Sequence, residues 1–132
     1  MVIYRMSDRI PVKIKDVTFF LAPLSLSQQG ILLSFAKQKE GEEKVDALKT
    51  AMKCISFSLK AVEGLTTVDG LPYELEFKED GTLTDDCVNE ILQVNGDSLV
   101  KISLDWAVSG IKPIEIPGVE IDFKNVRSVK KN

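Results

Sequence analysis

Glu74 and Glu76 are the first pair of residues in this 132-residue chain whose type and spacing could do chemistry. On a strand they share one face about 7 Å apart, a separation used by the paired carboxylates of glycoside hydrolysis. Those carboxylates must flank a sugar from opposite sides, and neighbours on one strand face do not. With Lys78 in the same row, the pair reads as the solvent side of a half-buried strand. The run E-F-K-E-D-G-T-L-T-D-D-C offers Gly81 as the central glycine of a calcium loop. Aligned on that glycine, however, Lys78 takes the third ligand position and Cys87 the place of the bidentate glutamate. Asp85 and Asp86 are then first-turn charges of a helix, where the backbone dipole favours them.

The chain has no histidine. That removes the commonest general base, the Ser/His and Cys/His nucleophile pairs and most catalytic zinc sets. Cys54 and Cys87 are too few for a zinc site and fall in helical patterns, so they are expected to be small buried thiols in a reduced compartment. No G-x-S-x-G, phosphate-binding G-x-x-x-x-G-K-S/T or G-x-G-x-x-G run occurs, and nothing singles out one lysine as a nucleophile. The expectation is a protein that is not an enzyme, with no catalytic residue, metal or cofactor.

Charge is divided along the chain. Residues 1–15 carry +3, residues 124–132 carry +4, and the body between them carries −10, within an overall −3. Backbone neutralisation of nucleic acid needs a basic face, which an acidic body with basic ends does not supply. Residues 1–10 hold charges at Arg5, Asp8 and Arg9 and no h-region, and no apolar run reaches the ~18 residues of a membrane span. The expected location is the cytoplasm.

The elements that carry these residues follow from periodicity. Residues 10–22 read as a β-hairpin turning at Lys15 and Asp16. Pro23 closes its second strand, and Ser25 or Ser27 is placed to cap a helix over 28–39 bearing Ile31, Leu32, Phe35 and Ala36. The charged run 40–44 links this to a second helix. In it Val45, Leu48, Met52, Ile55, Leu59 and Val62 form the core stripe, and Gly64 takes the left-handed cap. Ala47, Ala51, Cys54, Ser58 and Ala61 make an adjacent small-residue strip, while Phe57 falls nearly opposite the stripe. Asp69-Gly70 and Asp80-Gly81 are turns around Tyr73, Leu75 and Phe77.

Thr84 caps a third helix, and a fourth, to about Ser109, is apolar around most of its circumference. It must be central or shared with a second subunit. Residues 111–123 are extended with prolines, as an edge or arm. The whole is an α+β domain over 1–126, about four helices with small antiparallel β-hairpins, followed by a disordered basic tail at 127–132.

The order of these elements, with A-P-L-S-L-S-Q-Q leading into a helix, V-E-G-L closing the next and Y-E-L-E-F beyond a D-G turn, resembles the tail assembly chaperones of long-tailed bacteriophages. The resemblance spans roughly residues 10–110. It implies a protein that binds the tape measure protein, keeps that long helical client soluble and aids tail tube assembly. Such a holdase needs shareable apolar helix surface and an acidic, solubilising body. The candidate partner-binding residues are Leu32, Phe35, Phe57, Leu104, Trp106 and Val108. The expected partners are a protein client, the tape measure or tail tube protein, and a second copy in a homo-oligomer, with no nucleic acid and no membrane. The alternatives are a structural virion component (a tail or head-tail connector subunit whose 111–123 arm pairs with a neighbour's sheet) and a small inhibitor of a host enzyme.

Overall fold

A computed structural model describes residues 2–36, 43–94 and 96–128, with the side chains of 35, 36 and 43–47 outside that description. Among the described residues the fold is α+β: four helices lie against a curled antiparallel sheet. Strand β1 (Asp8–Ile14) turns through Lys15 and Asp16 into β2 (Val17–Leu21), as the alternation predicts. Lys15 sits at φ 55°, the left-handed value that a two-residue hairpin turn asks of its first position. Ile10, Val12, Ile14, Phe19 and Leu21 point into the core and are almost fully buried.

Helix α1 (Leu26–Ala36) starts two residues earlier than expected, because Ser25 and Gln28 form a reciprocal cap. The Gln28 amide donates to Ser25 Oγ at 3.1 Å, and the Ser25 amide donates to Gln28 Oε1 at 3.0 Å. Helix α2 (Glu43–Ser58) is followed without a break by strand β3 (Leu59–Glu63), which pairs with β2. Thr84 caps α3 (Asp85–Leu92), its hydroxyl accepting from the Cys87 amide. Helix α4 (Gly96–Ser109) packs against α1, α2 and α3 of its own chain. It is therefore the central helix, which explains its apolar girth. Strand β4 (Val119–Ile121) and strand β5 (Arg127–Ser128) both pair with β1, so the sheet runs β3-β2-β1-β4 with β5 further along β1.

Pro11 explains the gap between β4 and β5. Its carbonyl accepts from the Asp122 amide on that side, but a proline has no N–H to offer there. The ladder lapses, and residues 122–126 loop out before pairing resumes at Arg9.

The structure corrects three expectations. The second helix ends at Ser58, and Leu59 and Val62 belong to a strand. A bulge makes the helical reading possible: Leu21 pairs with Leu59 and Phe20 with Ala61, leaving Lys60 as an extra residue. An inserted residue turns a spacing of three into two inward positions on a strand, imitating a helical step. Leu48, placed in the core stripe, is 59% exposed, whereas Phe57, placed opposite it, is 7% exposed. The last turn of α2, Cys54–Ser58, is buried on all sides, with Ile55 in the main core and Cys54 and Phe57 in a second cluster with Leu32 and Ala107. Of the two readings of the 111–123 segment, edge or arm, the structure takes the edge: its β4 portion is joined to β1 and ends the sheet path. Arg127 and Ser128, expected in the disordered basic tail, are strand β5; residues 129–132 lie outside the described residues.

Candidate functional site

The groups first considered for chemistry do not converge. Glu74 and Glu76 are exposed, while Tyr73 and Leu75, alternating with them, turn inward. In the Gly81 turn, Asp80 Oδ1 accepts from both the amide and the hydroxyl of Thr82, and Asp85 lies 3.7 Å from Lys78. Among the described residues no three His, Cys, Asp or Glu side chains are grouped to hold a metal. Cys54 and Cys87 are free thiols, both buried, and burial pushes the Cys54 thiol up to about 12. The Tyr73 hydroxyl donates to Glu90 Oε1 at 2.9 Å and lies 3.3 Å from Cys87 Sγ. Burial first, then those two neighbours, raises it well above the ordinary tyrosine range. It fastens the 65–83 excursion to α3 and stays a neutral hydrogen-bonding group.

What does converge is a groove of about 600 Å³, within the ~300–1,000 Å³ usual for binding clefts. One wall is the N-terminal segment with Val2, Ile3, Tyr4 and Met6; the other is the β2–α1 link, Ala22, Pro23 and Leu24, with Gln29. The floor is Ser58 at the end of α2 with Ser103, Trp106 and Ala107 of α4, and Val108, Ser109, Gly110 and Ile111 close one end. None of these lining residues is charged, in a chain that is 28% charged.

Local sequence builds each part. Gly110, at φ 83°, ends α4 in the left-handed conformation and turns the chain so that the Trp106 indole N–H reaches the Lys112 carbonyl at 2.9 Å. That bond satisfies the polar edge of the ring and leaves its body in the groove floor. Phe123 stands between floor and wall, its ring 6.2 Å from that of Trp106 and 6.3 Å from that of Tyr4. Pro23 and the Ser25 cap fix the opposite wall, where the Gln29 side chain donates to the Leu24 carbonyl. Beneath the floor the Ser58 and Ser103 hydroxyls meet at 2.9 Å. Large side chains stay uncovered along the rim, among them Val2, Ile3, Met6 and Val108.

Of the candidate partner-binding residues, the structure brings Val108, 67% exposed, to the end of this groove, and Trp106, 6% exposed and part of the main core, to its floor. Leu32 and Phe57 are a correction: both are core residues, 0% and 7% exposed, packed with Ala107 behind the floor where no partner reaches them. Leu104 packs half-buried against the same cluster. Phe35 lies on α1, but its side chain falls outside the described residues. Sequence reasoning missed the wall residues Val2, Ile3 and Met6. Their signal was present in M-V-I-Y-R-M, an apolar run beside the first strand with too few residues for a membrane span.

No family model, curated protein or solved structure matches the chain. Fold and site define a small α+β protein with an uncharged groove between its N-terminal segment and its central helix. Among the described residues no helix is long and apolar enough to cross a membrane.

Proposed function

We propose that the protein is a binding protein, not an enzyme, that holds an apolar helical segment of another protein, and that it serves as a tail assembly chaperone of a long-tailed phage in the host cytoplasm. The observation that carries this reading is the uncharged groove with Trp106 in its floor and Val2, Ile3, Met6 and Val108 on its rim. An amphipathic helix laid apolar face down is the occupant that such a lining suits. A charged ligand would leave its charge unpaired there, at a cost of several kcal/mol. The −10 body keeps the loaded complex soluble by repelling its copies. The tape measure protein, long and helical, is the client that the resemblance implies. A homo-oligomer would draw on exposed apolar side chains such as Val108 and the groove rim, since most of α4 is covered by its own chain.

The rival reading as a virion component would pair the 111–123 segment with a neighbour's sheet; Val119–Ile121 are bonded to β1 on one side and stand at the end of the sheet path. The test is co-expression with a tape measure protein, together with titration of an uncharged-faced amphipathic peptide followed by the fluorescence of the single Trp. A soluble complex and a saturable Trp106 signal are expected. An insoluble client and a flat titration would overturn the proposal.

A further inference from the structure

We infer that the C-terminal segment from β4 to β5 is a clasp that sets the position of the groove's N-terminal wall, with Asp8 as the positioning residue. This rests on the groove being the binding site proposed above.

The wall has few bonds of its own. Its chain turns back through Arg5 to Asp8, where the Asp8 amide donates to the Arg5 carbonyl at 2.9 Å and the Arg5 amide donates to Asp8 Oδ2 at 2.8 Å. The Arg9 guanidinium adds a bond to the Met6 carbonyl. Among the described residues no ladder includes residues 2–7. The same Asp8 carboxylate holds the far end of the chain, its Oδ1 accepting from the Ser128 hydroxyl at 2.7 Å. One carboxylate therefore ties the turn below the wall to strand β5.

A second tie comes from the same C-terminal segment. Phe123, between β4 and β5, lies against Tyr4 of the wall on one side and Trp106 of the floor on the other. Asp122 holds the loop at Phe123, accepting from the amides of Lys124 and Asn125 and from the Asn125 side chain. Strand β5 is itself pinned to the outer sheet face by Arg127, whose guanidinium stacks 4.7 Å from the Phe20 ring centre and sits 3.3 Å from Glu63. Docking of β5 and order in the wall are thus one event.

Coupling of this kind is reciprocal: whatever the clasp does for the groove, an occupant of the groove does for the clasp. Ser128→Ala removes the tie at the end remote from the wall. It should raise amide exchange at Arg5 and weaken the amphipathic peptide, each by roughly tenfold, the size expected for a hydrogen bond to a charged group. Ser128→Thr should restore both. Asp8→Ala, which also removes the acceptor of the Arg5 amide, should do more than Ser128→Ala, and the double variant no more than Asp8→Ala. Bound peptide should in turn slow tryptic cleavage after Lys124 and Arg127, which a merely structural bond would not produce. Unchanged Arg5 exchange in Ser128→Ala, or fully additive effects, would overturn the clasp whatever the wild type binds. A wild type that ignores the peptide while Ser128→Ala still loosens Arg5 would overturn the functional reading and leave the clasp standing.

Discussion

Ser58 and Ser103, 45 residues apart, share a buried hydrogen bond of 2.9 Å that joins the last turn of α2 to the middle of α4. Ser58 Oγ also donates to the Cys54 carbonyl one turn back, so the Ser103 hydroxyl is the donor of the shared bond. Small side chains are needed at this crossing, and the strip containing Cys54 and Ser58 supplies them. Either Ser→Ala change alone should cost about 1 kcal/mol, since one hydroxyl is left without its partner. The double change should cost clearly less than the sum, because no partner remains to be stranded. Urea unfolding of the four proteins measures it.

Ile55, fully buried, and Leu48, 59% exposed, separate the true core face of α2 from the apparent one. Ile55→Ala should cost about 2–5 kcal/mol and Phe57→Ala about 3–5 kcal/mol. Leu48→Ala should stay within about 0.5 kcal/mol, as for other surface positions. Equal losses at Leu48 and Ile55 in denaturant titrations would show that α2 is rotated from the orientation described.

Two glycines should respond in opposite directions. Gly64 sits at φ 95°, and a Cβ there would run into the Asp16 carbonyl oxygen across the sheet end. Gly64→Ala should therefore destabilise by well over the ~1 kcal/mol of an ordinary backbone penalty. Gly30, within α1, has open space around it, and Gly30→Ala should raise stability by about 0.5–1 kcal/mol. Thermal melts of both variants decide this.

Acid should act through three aspartates. The Asp8 carboxyl is held below its ordinary value of 3.8 by the Ser128 hydroxyl and then the Arg5 amide; Asp80 is lowered by Thr82, and Asp122 chiefly by Asn125. A carboxyl depressed in the folded state takes up its proton more readily when unfolded. Its stabilisation is complete above the ordinary value and is lost as pH falls through the folded one. The urea midpoint should hold down to about pH 5 and drop below about pH 4. Asp8→Asn should lower the plateau and flatten that drop.

Thiol chemistry reports on opening. With Cys54 pushed up to about 12, only about one molecule in ten thousand carries its thiolate at pH 8. Native protein should leave both buried cysteines unlabelled by a disulfide reagent, and both should react in urea. Rapid labelling of the native fold would contradict the packing of α2 against α4.

Much of the fold was legible where one local rule governs. The Lys15-Asp16 turn and the Thr84 cap follow from alternation and capping chemistry, whereas capping left Ser25 or Ser27 open and apolar girth left the fourth helix central or shared, and only the packed structure selects Ser25 and the central place. Errors arose where tertiary pairing overrides local pattern. The Lys60 bulge gives Leu59 and Val62 a helical spacing inside a strand, and Phe57 looks stray only until α1 and α4 enclose the end of α2. The site was half visible. Trp106 and Val108 stood out on an apolar helix, but the opposing wall is made by residues more than a hundred positions away, and no local signal links Tyr4 to Trp106 through Phe123.

The position of β1 also dictates a timetable. Its β2 neighbour is synthesised within a few residues, but the strands on its other side follow more than a hundred residues later. A nascent chain carries Ile10, Val12 and Ile14 with one sheet edge bare throughout that interval. Contacts of such long sequence separation slow folding and lengthen exposure to aggregation. The fold therefore closes in one late step, when the segment that completes the groove also seals the strand with which the fold began.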